Sequence, residues 1–204
     1  YLPRHRPPDF GKGLIGHELG DGAYVLGKKP DLVLFRGPPG QKSAVYLSGR
    51  QMQASKEFAQ DYSLVTFESR PPERTQSHIW VRRTSPRIGI RSVHGEILIP
   101  AFLLLGQPPI VARETESGRF AVSLDASTHL QANRIAAPPG RWRLTTEPEI
   151  SIGASISVGD RRIAEGIAPI EFTLPADAGP EVDIALQSTE PAELIMLKLV
   201  KIQR

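Results

Sequence analysis

The residues best suited to chemistry sit in one glycine-rich stretch, 9–35, which reads DFGKGLIGHELGDGAYVLGKKPDLVLF. It gathers His17, Glu18 and Asp21 among Gly11, Gly13, Gly16, Gly20, Gly22 and Gly27. Glycine enters backbone conformations that other residues avoid, so the stretch reads as a shaped loop. A histidine beside a carboxylate can shuttle protons, hold a metal or bind phosphate. The zinc-protease helix pattern is absent, because Asp21 and not a second histidine stands four residues after His17. His5 would reach the same metal only if the chain folded back. Two readings stay open: His17, Glu18 and Asp21 fix the glycine backbone by hydrogen bonds, or they face a ligand. No cofactor is expected.

Arg82, Arg83, Arg87 and Arg91 form a basic cluster around Thr84-Ser85-Pro86. In one alternating strand Arg83, Arg87 and Arg91 would share a side. That side is either a solvated sheet face or a groove for phosphate oxygens, which arginine pairs well. Nucleic acid is not an expected partner, since aromatic residues do not interleave with the arginines. Trp142, between Arg141 and Arg143, is either a core side chain or a stacking platform for a sugar ring. Ser123, Asp125, Ser127 and Thr128 offer a polar cluster at a strand end. Gly37-Pro38-Pro39-Gly40-Gln41-Lys42-Ser43 ends like a phosphate loop but lacks the four-residue spacer before Gly-Lys-Ser/Thr.

The elements that must position these groups follow from patterning. Asp21 can cap a short helix through Tyr24, Val25 and Leu26, which Pro30 ends. Residues 32–35 form a continuous apolar run, suited to a strand buried on both faces as in an α/β layer. Residues 51–62 predict a helix with Met52, Phe58, Ala59 and Tyr62 on its buried stripe. Residues 64–67 and 79–81 read as strands. Beyond about residue 93 no helix pattern recurs. In 150–158, Ile150, Ile152, Ala154, Ile156 and Val158 alternate with Ser151, Gly153, Ser155 and Ser157, the mark of a strand with one apolar and one polar face. Gly159-Asp160 suits a two-residue hairpin turn into 161–164. Further strands are expected at 120–124, 141–145, 170–174, 182–186 and 194–202. The fold class expected is α+β: a small α/β unit over 1–92 followed by a jelly-roll-like β-sandwich over 93–204.

Composition agrees with a globular chain. Of 204 residues, 40% are apolar and 23% charged, and the net charge is only +3. With no cysteine, disulfides, thiolate zinc sites and cysteine nucleophiles are excluded. The longest apolar run, 97–105, is interrupted by Pro100 and falls short of the roughly 20 residues that span a bilayer. Opening on Tyr1, the sequence is expected to be a fragment or a processed product. Its basic, proline-bearing lead-in, 1–8, reads as a tail, or as a segment lying against anionic headgroups.

Gly-His-Glu, then Asp-Gly-Ala-Tyr-Val-Leu, then Lys-Lys-Pro-Asp-Leu-Val-Leu-Phe, joined by Glu57-Phe58-Ala59-Gln60-Asp61-Tyr62-Ser63-Leu64-Val65, resembles the soluble segment after the last membrane helix of GT-C-type membrane glycosyltransferases, the arabinofuranosyltransferase-like group in particular. The likeness covers roughly the first 90 residues of the chain. It implies an extracytoplasmic location at the periplasmic face and a membrane anchor in the parent protein. The partners it implies are the protein's own membrane domain and a polyprenyl-phosphate sugar or envelope glycan. His17, Glu18, Asp21, Arg83, Arg87 and Trp142 are then the substrate-binding candidates. No catalytic residue is expected here, because the carboxylate base would lie in the membrane part and this piece would be inactive alone. The alternative is a non-enzymatic envelope module that binds carbohydrate through an exposed Trp142, or protein through an apolar patch around 102–105. A free hydrolase is a third reading, and it requires two carboxylates facing one another.

Overall fold

A computed structural model describes residues 21–36, 47–70, 76–84, 91–93, 95–177, 179 and 181–202. The chain is mostly β-sheet and divides into two compact units between Arg83 and Thr84.

The first unit holds helices α1 (Gly22–Gly27), α2 (Leu47–Ala54) and α3 (Lys56–Asp61). Its strands are β1 (Leu32–Arg36), β2 (Tyr62–Glu68) and β3 (Gln76–Arg82), in the order β1-β3-β2. Asp21 caps α1, its carboxylate accepting from the Tyr24 amide at 3.1 Å. Gly22 lets α1 approach α2 closely: a Cβ there would meet the Ser48 carbonyl oxygen at 2.5 Å. Its amide donates to Gln51 Oε1 at 2.9 Å. Leu26, Val33, Met52, Phe58 and Tyr62 form the core, with Trp80 against it. The Phe58 ring stacks on Tyr62 at 4.8 Å and meets Trp80 at 4.9 Å. Burial raises the Tyr62 phenol pKa, and its hydroxyl donates to the Pro30 carbonyl at 2.7 Å.

Two expectations need correction here. The run 32–35 is not buried on both faces. Among the described residues it pairs with β3 alone, antiparallel, and Val33 is buried while Leu32 and Leu34 are 42% and 59% exposed. The predicted helix 51–62 is two helices and the start of a strand. Ser55 adopts an extended backbone and caps α3 through the Phe58 amide at 3.0 Å, so the helical phase restarts and Ala59 faces solvent.

The second unit contains two five-stranded antiparallel sheets whose apolar faces form a β-sandwich. One has the order β13-β10-β16-β5-β4, from Ile170–Leu174, Gly140–Glu147, Met196–Lys201, Glu96–Pro100 and Arg91–Val93. The other has the order β12-β11-β14-β9-β6, from Arg161–Ile167, Ile152–Val158, Glu181–Ser188, His129–Ala136 and Leu105–Gln107. A smaller antiparallel set follows the order β7 (Ile110–Glu114), β8 (Phe120–Leu124), β15 (Ala192–Leu194). Alternation sets the core: Trp142, Leu144, Leu197 and Leu199 bury from the first sheet, and Leu130, Ile156, Ile184 and Leu186 from the second. The expected turn at Gly159-Asp160 is present. Val158 pairs with Arg161, and Gly159 has the φ of +55° that its place requires.

Glu147 ties this unit together at the end of β10. Its carboxylate pairs with the Arg119 guanidinium and with Lys198 Nζ, the latter at 2.5 Å. Hydrogen bonds from these two cations hold its pKa at about 2, below an ordinary 4.5. The contribution is therefore complete above about pH 5 and lost as pH falls through 4 toward 2. Glu147→Gln is expected to lower stability by about 1 kcal/mol at pH 7, a shift of a few degrees in melting temperature. The gap from wild type should close near pH 2 in melting curves taken across pH.

Candidate functional site

The outer face of the β12-β11-β14-β9-β6 sheet carries a trough. The pairing register builds it row by row. Leu105, Gln131, Ala185, Ser155 and Glu165 stand side by side across the five strands. The next row is Gln107, His129, Gln187, Gly153 and Ile167. Side chains in such rows lie on one face of the sheet. Gly153, Ser155 and Ala185 are small, and His129, Gln131, Gln187 and Glu165 stand around them, which leaves a hollow of about 240 Å³. Gly153 belongs to its floor, and a Cβ there would stand 3.2 Å from the Gln187 carbonyl oxygen.

The two outer faces of the sandwich differ in electrostatics. On the β10 side, charges are used internally: Glu171 takes Arg141 at 3.2 Å and Arg143 at 3.3 Å. In the trough, no ion pair or hydrogen bond among the described residues engages the side chains of Gln131, Ser155 or Gln187. Glu165 is the only carboxylate among the lining residues, and it pairs with Arg162 at 2.5 Å. The lining of the hollow is thus rich in neutral donors and acceptors, with Glu165, paired to Arg162, at one end. Among the described residues, no group of three or more His, Cys, Asp or Glu side chains is placed to hold a metal. No described helix is long and apolar enough to cross a membrane.

No protein-family model and no curated protein matches the chain. It is similar to the crystal structure of the C-terminal CBM6 of LamC, a marine laminarinase from Zobellia galactanivorans, with a TM-score of 0.36 and 14% identity. That match covers 52% of this chain and 99% of the module. A likeness this weak has no bearing on function.

The residues singled out from sequence are not brought together by the described structure. His17, Glu18 and Arg87 lie outside the described residues, as does the phosphate-loop-like segment 37–43. Asp21 serves as the helix cap described above. Arg83 follows the end of β3 and donates its amide to the Asp61 carbonyl at 2.7 Å. Arg91 begins β4 in the other unit, so no single strand carries the arginine cluster.

Trp142 is not an exposed platform. Its side chain is 2% exposed, because β10 alternation turns it inward opposite Phe172. Its indole N–H donates to the Pro138 carbonyl at 3.0 Å. The polar cluster at 123–128 closes on itself. Asp125 accepts from the Ser127 amide at 2.8 Å, the Ser127 hydroxyl at 2.6 Å and the Thr128 hydroxyl at 2.9 Å. These bonds, Ser127 first, hold its carboxyl below the usual range. The segment 102–105 is not an exposed apolar patch either: Leu104 is 1% exposed, and Phe102 meets the edge of the Phe120 ring.

Sequence reasoning missed His129, Gln131, Glu165 and Gln187. The strand β9 is hidden by a bulge. Ala132 pairs with Ile184 and Ile135 with Val182, so Asn133 and Arg134 share one partner position. Arg134 takes φ +54°, its amide donates to Asp183 at 2.6 Å, and its guanidinium pairs with Glu181 at 2.8 Å. The readable signal was the alternation of Leu130 and Ala132 against His129 and Gln131.

Proposed function

We propose that the β-sandwich is a non-enzymatic carbohydrate-binding module that lays a neutral sugar ring over the floor formed by Gly153, Ser155 and Ala185. The observation that carries this reading is the register-built trough whose amides, Gln131 and Gln187, flank a small-residue floor. An amide side chain presents a donor and an acceptor together, which suits neighbouring hydroxyl groups. Backbone groups of interior strands are taken up by the ladder, so recognition falls to the side chains. At about 240 Å³ the hollow lies below the ~300–1,000 Å³ of enclosed small-molecule sites. An open trough of this size suits one ring of a chain that runs on at both ends.

A single lining carboxylate does not supply the pair that glycoside hydrolysis needs, which favours binding over cleavage. The test is retention of the 204-residue chain on insoluble polysaccharides and a glycan array. Binding that falls at least tenfold in the Gln131→Ala, Gln187→Ala double variant supports the reading. No retention on any glycan, or retention that ignores the double variant, overturns it.

The resemblance carried by residues 16–35 and 57–65 supports a wider placement, as the extracytoplasmic part of a membrane glycosyltransferase-like protein using a polyprenyl-phosphate sugar. In that setting the module would position glycan for a catalytic carboxylate elsewhere, and positioning alone can matter greatly to rate. Reading the coding frame upstream of Tyr1 tests the placement. Several segments of about 20 apolar residues each would support it. A plain signal peptide would overturn it and leave the binding module standing.

A further inference from the structure

Ile167 is the most exposed large hydrophobic side chain among the described residues, at 67%. It sits on β12, the edge strand of the trough sheet. Its cross-strand partner is Gly153, so nothing on the neighbouring strand covers its flank. The same row continues through Gln187 to His129. Through its pairing with Gly153, which lines the hollow, Ile167 places an aliphatic side chain at the edge of the small-residue floor, on the same face as Gln131 and Gln187 and at the opposite edge from Leu105. The next residue along that face of β12 is Glu165, held by Arg162. Aliphatic and polar contacts are thus separated along the strand by one two-residue repeat.

From this juxtaposition we propose that the trough selects sugars with a methyl in place of the hydroxymethyl group on C5, the 6-deoxyhexoses, whose methyl packs against Ile167 while the ring hydroxyls meet Gln187 and Gln131. The inference rests on the glycan-binding reading. It adds the ligand class and names the residue that determines it. A hydroxymethyl group in the same place would bring its hydroxyl against the Ile167 side chain, where it finds no partner and loses water. A methyl group loses apolar surface instead, and burial of one such group corresponds to roughly a fourfold preference.

The experiment compares two oligosaccharides that differ only in the 6-hydroxyl of one residue. They compete for the full chain and for the variants Ile167→Val and Ile167→Thr. The expected result is a several-fold preference for the deoxy form in the wild type. It should be smaller in Ile167→Val and close to one in Ile167→Thr. An exposed side chain makes both variants foldable, and circular dichroism checks this. Equal affinity in the wild type, or a preference that survives Ile167→Thr, overturns the inference and leaves glycan binding intact. Absence of any glycan binding in the wild type overturns both.

Discussion

Replacing Trp142 with alanine is expected to cost about 3–5 kcal/mol of stability while leaving glycan affinity of the folded molecules unchanged. Trp142 fills the sandwich core with 2% exposure and is anchored by its bond to the Pro138 carbonyl. Truncation removes a large apolar surface and leaves a cavity beside Phe172, its partner in the pairing register. It also leaves the Pro138 carbonyl without its indole donor. Denaturant unfolding reads the first effect, and ligand titration under native conditions reads the second. Trp142→Phe should recover most of the packing and none of the hydrogen bond, so it should fall between the two. If the alanine variant instead folded with nearly wild-type stability and lost glycan binding, Trp142 would be a ligand platform and its burial would not describe the molecule in solution.

The second large effect concerns the floor. Ala185→Trp is expected to weaken glycan binding at least tenfold, about 1.4 kcal/mol, with stability changed by no more than about 0.5 kcal/mol. Ala185 is exposed at the centre of its row, between Gln131 and Ser155. An indole there would fill much of a hollow of about 240 Å³. Strand positions facing water accept aromatic residues readily, so the fold should tolerate it. Thr173→Trp on the outer face of the opposite sheet is the control, since Thr173 is exposed on β13. Both variants losing binding would point to a general defect. Ala185→Trp keeping full affinity would remove the trough from the account.

The sandwich was legible wherever a strand kept strict alternation. Residues 120–124 and 170–174 are strands with those bounds, and the polar face of 152–158 with its Gly159-Asp160 turn is as its pattern requires. In 170–174 and 152–158 one face meets the core and the other faces outward, which writes a period of two into the sequence, whereas in 120–124 the consecutive Ala121 and Val122 are both buried. Pattern failed where local devices interrupted it. Ser55 reset the helical phase, and Pro100 led into a short 3-10 turn, Ala101–Leu103, that split the apolar run 97–105. Of the trough, only Gly153 and Ser155 stood on a face that sequence identified as polar. Gln131, Gln187 and Glu165 reach them through pairing between distant segments, and register between such segments is a property of the folded sheet. The conspicuous groups misled for a related reason. Trp142 and Asp125 have the right chemistry for a site, but each is occupied by its own neighbours.

The bulge at Asn133 and Arg134 makes β9 two strands of opposite parity joined end to end. Before it, odd-numbered His129 and Gln131 look outward; after it, odd-numbered Ile135 looks inward. The trough face and the core thus share one segment only because a single extra residue absorbs the change of sides. Length at this point is therefore less negotiable than identity. Loss of one residue from this pair would turn one half of the strand inside out, sending either the glutamine and histidine into the core or the isoleucine into water. Among related sequences, a one-residue gap here would mark the chains in which this face has been put to another use.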